Sequence, residues 1–315
     1  MQRKRFIKIL ALGTGASALG IGPGFLKANP LDSNTPHPIQ WKGFLLGSKG
    51  AMQLFAKDPA HAKKTLQSVF NEIQRLEQKF SLYLANSEIN TLNQSKVLKQ
   101  PDSDWLKLCE TIDTVHALTK GYFDPAVQSL WHYHNQQSEK DLKNLKDRLP
   151  EIGWQHISYS KSEIRIHRQE CQLTLNGVAQ GYITDTATDI LRNEGFDKAL
   201  IELGETRALG QHPDNRPFQI GIQKPNERAI ANQLELDNQA LATSSSYGSY
   251  IHSKEKLGHI LNPKTGKTLH EAKTISVLTH SATMADALAT GLLLLNDREL
   301  KNFIEKNPQF TVLRS

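Results

Sequence analysis

Residues 281–290, SATMADALAT, restrict the possible folds of this chain most strongly, because they predict a helix built of small residues. The alanines leave room for another backbone, or for a ligand, to approach this helix closely. Asp286 and Thr290 are four residues apart, so their side chains share one helix face. Their oxygen atoms are hard ligands that suit Mg²⁺, which usually takes few ligands from protein. In the alternative interpretation, Asp286 is only a favourable charge near the positive end of the helix dipole.

The overall composition is that of an ordinary globular protein. The chain has 315 residues, of which 38% are hydrophobic and 22% are charged, and this balance supports a sizeable core in one or two domains. The formal net charge of +6 would favour a nucleic-acid partner, but five basic residues and no acid lie within residues 1–28. The remainder carries a net charge of +1. We therefore expect no nucleic-acid binding.

The first 28 residues predict an export signal. A charged stretch, RKRFIK, precedes a weakly apolar region rich in glycine and alanine, and Ala28 offers a cleavage point. The segment resembles a twin-arginine signal in which Lys4 replaces one arginine, so we expect a periplasmic protein. An uncleaved membrane anchor is the less favoured alternative, because the apolar run is short and broken by glycine. Residues 29–40 are expected to form a linker, and residues 41–315 a single domain.

Cys109 and Cys171 are the only cysteines in the sequence. An exported protein could join them in a single disulfide, but two buried thiols are equally compatible with the sequence.

Hydrophobic periodicity predicts an α+β fold with antiparallel sheets and packed helices, and not a strict alternation of strands with helices. We expect helices at residues 59–80, from 87, at 102–119 and at 181–191. We expect short strands at residues 41–55, 157–159, 163–167, 172–175, 199–203, 218–223, 234–236, 240–244 and 274–279.

Several further segments carry residues suited to ligand binding. Tyr83 precedes a capped helix, and the turn GYFDP exposes aromatic rings beside an acid. The junction around Gly177 has backbone amides at a helix N-terminus, where anions bind. The alternatives are that Tyr83 and Phe123 are core residues, that the glycines serve a bulge or close packing, and that His259 before a proline turn is structural. The sequence has neither a P-loop nor a dinucleotide-binding fingerprint.

In this order, the segments resemble the ApbE family, the FAD:protein FMN transferases, from about residue 46 to residue 295. The matching segments are SLYLANSEINTLN, GYFDP, TLNGVAQGYITD, LGETRALG, ATSSS, GHILNPKTG and ATMADALAT. The forms LNGVAQGY and GETRALG are most similar to the NosX-like subgroup. The resemblance implies the fold of that family, which is T-fold-like.

The resemblance also implies roles for individual residues. Mg²⁺ would be held by Asp286, Thr290 and the backbone carbonyl of Gly177. His259 would lie near the FAD phosphates and act as the proton acceptor, because histidine has an unperturbed pKa near neutrality. The residues that would contact FAD are Leu46, Tyr83, Tyr122, Phe123, Asp124, Thr174, Gln180 and Ile260.

The activity implied is transfer of FMN from FAD to a threonine or serine hydroxyl, with release of AMP. The partner would be an exported or membrane flavoprotein with a short flavinylation motif, so contact with the membrane would come only through that partner or the export signal. One alternative is a Mg²⁺-dependent FAD pyrophosphatase. The other is a non-catalytic flavin-binding maturation factor, which is favoured by Thr174 and Gln180 because the family usually has aspartate and lysine at these positions.

Overall fold

A computed structural model of the chain describes residues 37–45, 48–136, 145–223, 230–246, 250–252, 257–269 and 272–314. The predicted export signal, most of the predicted linker and Leu46 lie outside the described residues.

Most helices coincide with the predicted amphipathic segments, and further helices were not predicted. The helices are α1 (Pro59–Phe80), α2 (Glu88–Ser95), α3 (Ser103–Leu118), α4 (Gln128–Gln136), α5 (Leu145–Arg148), α6 (Ala179–Asn193), α7 (Ala282–Leu292) and α8 (Asp297–Lys306). The start of α1 is fixed by Asp58, whose carboxylate accepts hydrogen bonds from the backbone amides of Ala60 and His61 at 2.8 and 3.1 Å. Helices α4 and α8 were not predicted.

The strands in the described residues form one large sheet, which contains half of them, and three small ones. They are β1 (His37–Leu45), β2 (Ser48–Ala56), β3 (Val97–Lys99), β4 (Ile157–Tyr159), β5 (Glu163–Ile166), β6 (Ala199–Glu202), β7 (Thr206–Leu209), β8 (Phe218–Gln223), β9 (Ile230–Leu236), β10 (Ala240–Ser245), β11 (Tyr250–His252), β12 (Leu257–Gly258), β13 (Thr274–Thr279) and β14 (Thr311–Arg314). Seven of them pair in the order β1-β2-β6-β7-β10-β13-β14. Every neighbouring pair in that sheet is antiparallel, which confirms the predicted α+β class.

The two faces of the large sheet are covered differently. Along β6, Ile201 faces the main core, which contains buried residues of α1, α3, α6 and α7. Its neighbour Leu200 points to the opposite face, where Phe218 and Ile220 of β8 cover it. This alternation is the two-residue period expected of a strand buried on both faces. The helical layer on the first face carries three of the predicted site residues, namely Gln180 in α6 and Asp286 and Thr290 in α7.

Two local predictions differ from the structure. Residues 172–175 were predicted as a strand, but only Gln172 forms a bridge, with Val127. No strand was predicted between residues 203 and 218, whereas residues 206–209 form β7, which begins directly after Gly204 and Glu205. Gly204 has a φ of 107°, a left-handed value that glycine adopts without strain, and this makes the tight return possible.

The two cysteines are free and buried, which excludes the disulfide alternative. Burial raises the pKa of the Cys109 thiol to about 12, so this thiol is inert at neutral pH. Among the described residues, none of the helices has the length and apolar character needed to cross a membrane.

Candidate functional site

Helices α6 and α7 cross with their backbones in contact. A methyl group at Gly181 of α6 would lie 2.5 Å from the Ala282 carbonyl carbon and 2.7 Å from the Thr283 Cα, and even closer to the Ala282 oxygen. No side chain fits there, because interiors are packed at crystal-like density. The small residues of α7 therefore allow the close backbone approach that the sequence predicted.

Asp286 lies within this helix contact. Its side chain is buried, and its Oδ2 accepts a hydrogen bond from the Gly181 backbone amide at 3.2 Å. The first turn of α7 contains no acidic residue, so Asp286 is not simply a charge at the end of the dipole. Its carboxylate instead faces the N-terminal turn of α6.

Thr290 lies one helical turn beyond Asp286 and contacts two other segments. Its Oγ1 is 3.2 Å from the Oγ of Ser244 in β10. A methyl group at Gly177 would lie 3.0 Å from Thr290 Oγ1, so the Gly177 backbone packs directly against this hydroxyl. The structure therefore brings Gly177 against Thr290. Thr290 and Asp286 lie on the same face of α7.

This donor set fits a small hard cation. A carboxylate, a hydroxyl and a backbone carbonyl are oxygen ligands of the type that Mg²⁺ prefers. Within the described ranges there is no cluster of three or more His, Cys, Asp and Glu side chains suited to a metal. The set at Gly177, Asp286 and Thr290 contains only one such residue, so it belongs to a different type of site. The assignment of Gly177 as a ligand through its carbonyl stays a prediction.

The backbone of the segment before Gly177 is bonded by the Asn93 side chain and by the turn at residues 121–125, and not by a neighbouring strand. The Asn93 amide donates to the Leu173 carbonyl at 2.9 Å and accepts from the Leu173 amide at 2.7 Å. The Thr174 amide donates to the Pro125 carbonyl at 2.8 Å. This explains why residues 172–175 form no regular strand. It also places Thr174 and Gly177 beside the turn at residues 121–125.

Within that turn, Phe123 and Asp124 are both buried. The Phe123 ring packs near Gly177, and its backbone lies against Gly291 of α7. The Asp124 carboxylate accepts hydrogen bonds from the backbone amides of Ala126, at 2.8 Å, and Trp154, at 3.0 Å. Burial raises the pKa of Asp124, and these two hydrogen bonds oppose the effect. Both residues support the turn, and their predicted contact with FAD stays a prediction.

Tyr122 connects the same turn to the loop that carries His259. Its hydroxyl donates to Glu299 at 3.2 Å, and the Lys264 ammonium lies 3.9 Å from its ring centroid. Burial raises the pKa of Tyr122, and the carboxylate of Glu299 adds to the effect. His259 follows β12 and is partly buried, while Ile260 packs against the main core. The loop with the predicted proton acceptor is thereby held beside residues 121–125.

Tyr83 is not a core residue, because 61% of it is exposed. Its loop is held by the Asn90 side chain, which donates to the carbonyls of Leu82 and Leu84 at 3.2 and 2.8 Å. An exposed aromatic ring on an anchored loop is available for stacking. Gln180 is buried in the first turn of α6. The predicted FAD contacts of both side chains stay predictions.

Sequence reasoning missed one residue that organises the site. Asp185 of α6 accepts hydrogen bonds from the hydroxyl of Ser281 at 2.7 Å and the amide of Ala282 at 2.8 Å. It also accepts from the amide and the hydroxyl of Thr283, at 2.9 and 2.7 Å. Two signals were available: Asp185 ends the matching segment TLNGVAQGYITD, and it lies four residues after Gly181, on the same helix face.

Comparisons with known proteins give matches over most of the chain. Residues 46–313 match the family model described as the ApbE family. The FAD:protein FMN transferase of Chlamydia trachomatis is 30% identical over 254 residues, covering 76% of this chain and 77% of the relative. That of Haemophilus influenzae is 26% identical over 267 residues, covering 79% of this chain and 77% of the relative.

Solved structures show the same fold. The flavin transferase ApbE from Vibrio cholerae superposes with a TM-score of 0.75 at 23% identity, covering 89% of this chain and 93% of the other. The flavinyl transferase ApbE from Pseudomonas stutzeri, in its apo form, gives a TM-score of 0.77 at 23% identity, covering 90% and 92%.

Proposed function

The chain belongs to the ApbE family, and on that premise we propose that it is an FAD:protein FMN transferase. The observation that carries the proposal is the α6–α7 crossing, which sets Gly177 against Thr290 and buries Asp286 one turn away. The curated relatives described above are FAD:protein FMN transferases that align with more than three quarters of this chain.

The proposed reaction transfers the FMN part of FAD to a threonine or serine hydroxyl of an acceptor flavoprotein. The acceptor oxygen forms a bond to the phosphorus of the FMN half, and the bond from that phosphorus to the bridging oxygen breaks. AMP leaves with the bridging oxygen, and the proton of the hydroxyl passes to a base. Negative charge develops on the phosphate oxygens, so electrostatic stabilisation dominates the catalysis of such a step.

The residues of the crossing fit a metal-assisted mechanism. Asp286, Thr290 and the Gly177 carbonyl would hold Mg²⁺, which when bound supplies positive charge to the phosphate oxygens. Asp286 then serves as a ligand and not as the base. Its hydrogen bond from the Gly181 amide fixes the orientation of the carboxylate.

His259 is the proposed proton acceptor for the hydroxyl of the acceptor protein. Histidine exchanges protons near neutral pH, as this role requires. Its loop is held by the contact of Lys264 with Tyr122. On the flavin side, the exposed ring of Tyr83 would stack on FAD, and Thr174 and Gln180 would contact its nucleotide part.

The proposed location is the periplasm, where the acceptor would be an exported or membrane flavoprotein. This rests on residues 1–28, whose composition predicts a twin-arginine-like export signal. Fractionation of cells that produce the full chain, with mass spectrometry of its N-terminus, tests the location. A folded protein that stays in the cytoplasm and keeps its N-terminal segment would contradict this location.

The activity is tested by incubating the protein with FAD, Mg²⁺ and an acceptor domain, and measuring both the intact mass of the acceptor and the AMP released. We expect the acceptor to gain one FMN, and we expect no gain with Asp286→Ala. Asp189→Ala is the matched control, because Asp189 lies on α6 in an exposed pair with Arg192. AMP without a mass gain would indicate an FAD pyrophosphatase, and bound FAD without either product would indicate a binding factor.

A further inference from the structure

The Asp185 carboxylate binds the first residues of α7 from a neighbouring helix. It accepts four hydrogen bonds, at 2.7 to 2.9 Å, from Ser281, Ala282 and Thr283. Two are from backbone amides and two from hydroxyls. The first amides of a helix have no partner within the helix, so a carboxylate from elsewhere in the fold can satisfy them.

The N-terminus of α7 therefore has a cap made by two residues. Ser281 is the residue immediately before the helix, and its hydroxyl accepts a hydrogen bond from the Met284 amide at 3.2 Å while donating to Asp185. Asp185 binds the preceding amides and adds a negative charge at the positive end of the helix dipole. A single local residue would hold the helix only to its own loop, whereas Asp185 joins it to α6.

A second contact lies one turn earlier on the same face of α6. The Gly181 amide donates to Asp286, and a Cβ at Gly181 would collide with the backbone of α7 at Ala282 and Thr283. Gly181 and Asp185 therefore hold α7 at two points, namely its first residues and the carboxylate of Asp286. Two points on one face fix both the rotation and the axial position of a helix, and these set where Asp286 and Thr290 point.

We propose that Asp185 is a positioning residue, which holds α7 so that Asp286 and Thr290 face Gly177. The proposal rests on the proposed function, because it assigns these residues to the metal site. Asp185 is not itself a ligand in this proposal, because both of its carboxylate oxygens already accept hydrogen bonds from α7. It acts through the orientation of α7.

The charge of Asp185 has a further consequence in the interior. The Arg207 guanidinium of β7 is buried, with its Nε 3.9 Å from the Asp185 carboxylate. Burial lowers the pKa of Arg207, and the negative charge of Asp185 opposes that effect. A neutral residue at position 185 would therefore disturb both the cap of α7 and a buried cation, so a test needs a second variant that keeps the carboxylate.

The main test compares Asp185→Asn with Asp189→Asn, a control one turn along α6 whose side chain is exposed. Mg²⁺ binding to each protein is measured by calorimetry in the absence of acceptor, together with the thermal midpoint of unfolding. Residues that orient metal ligands commonly contribute about 10- to 100-fold to metal affinity. We expect Asp185→Asn to weaken Mg²⁺ binding by that factor, and Asp189→Asn to change it less than about twofold.

The second variant is Thr283→Val, which removes one hydroxyl donor to Asp185 and leaves the carboxylate and its charge in place. We expect a smaller loss of Mg²⁺ affinity in a folded protein, together with faster amide hydrogen exchange at residues 282–284. Unchanged affinity in both folded variants would overturn the positioning role. A wild-type protein that binds no Mg²⁺ would overturn the metal site itself, and amide exchange would then show separately whether Asp185 holds α7.

Discussion

Replacing Gly181 with alanine is the most direct perturbation of the α6–α7 crossing. Gly181 lies in the first turns of α6 and does not have a positive φ, so alanine suits its backbone conformation. In an exposed helix this change would stabilise the protein by up to about 1 kcal/mol. Here the added methyl meets the backbone of Ala282 and Thr283 at 2.5 to 2.7 Å, and backbone atoms cannot rotate away as a flexible side chain does.

The expected size of the effect follows from these distances. Ordinary contacts of such a methyl begin at 3.4 Å, so the two helices must separate by close to 1 Å. Overpacking of this kind usually costs about 1–3 kcal/mol, partly offset by the better helix propensity of alanine. We expect the free energy of unfolding to fall by about 1–2 kcal/mol. A displacement of about 1 Å at a reacting site costs roughly 100-fold in rate, so the loss of FMN transfer should be much larger than the loss of stability suggests.

The assay combines urea unfolding with the initial rate of FMN transfer at saturating FAD and Mg²⁺. Asp189→Ala serves as the control, because it replaces a residue of α6 whose side chain is exposed. The reasoning would be refuted by a Gly181→Ala protein that transfers FMN within about threefold of the wild-type rate. That result would mean that α7 can move away from α6 without misplacing Asp286.

Two further predictions concern protonation. His259→Ala should lower FMN transfer by roughly 10²- to 10⁴-fold if His259 is the proton acceptor, whereas a few-fold loss in initial rate would contradict this role. Burial raises the pKa of Glu202 from 4.5 to about 7, so the folded protein binds this proton more tightly and loses stability as the pH rises from about 4.5 to about 7. Glu202→Gln should remove up to about 3 kcal/mol of the decrease in unfolding free energy between about pH 5 and pH 8, and an unchanged decrease in urea titrations would argue against the raised pKa.

Local sequence patterns predicted helix α7 well because its signal is local. The small residues and the four-residue spacing of Asp286 and Thr290 both lie within α7, and helical periodicity converts that spacing into a shared face. The N-cap role of Ser281 is equally local, since a serine before a helix commonly bonds the amide three residues on.

Contacts between segments that are distant in the chain could not be predicted from local sequence patterns. Residues 172–175 have the apolar character of a strand. The backbone of Leu173, however, is hydrogen-bonded by the side chain of Asn93, which is distant in the chain. Hydrophobic periodicity predicts an extended conformation, but it does not identify the group that forms hydrogen bonds with the backbone of the segment. Asp185 is the last residue of the matching segment TLNGVAQGYITD, but no role was assigned to it from the sequence, because its partner Ala282 in α7 is 97 residues away. The exposure of Tyr83 also depends on the whole fold, because the pattern around it suits a core residue equally well.

The order of pairing in the large sheet has a consequence for when the site can form during folding. Antiparallel pairing of β2 with β6 sets Ala51 opposite Glu202, so the intervening chain is closed into one long loop. Closing a long loop costs entropy before it is compensated by contacts, and folds with such distant pairings form slowly. Phe123 and Gly177 come from inside that loop, whereas Asp286 and Thr290 are added from beyond it. The proposed metal site therefore forms only once both parts of the chain have folded against each other, and a partly folded chain lacks it.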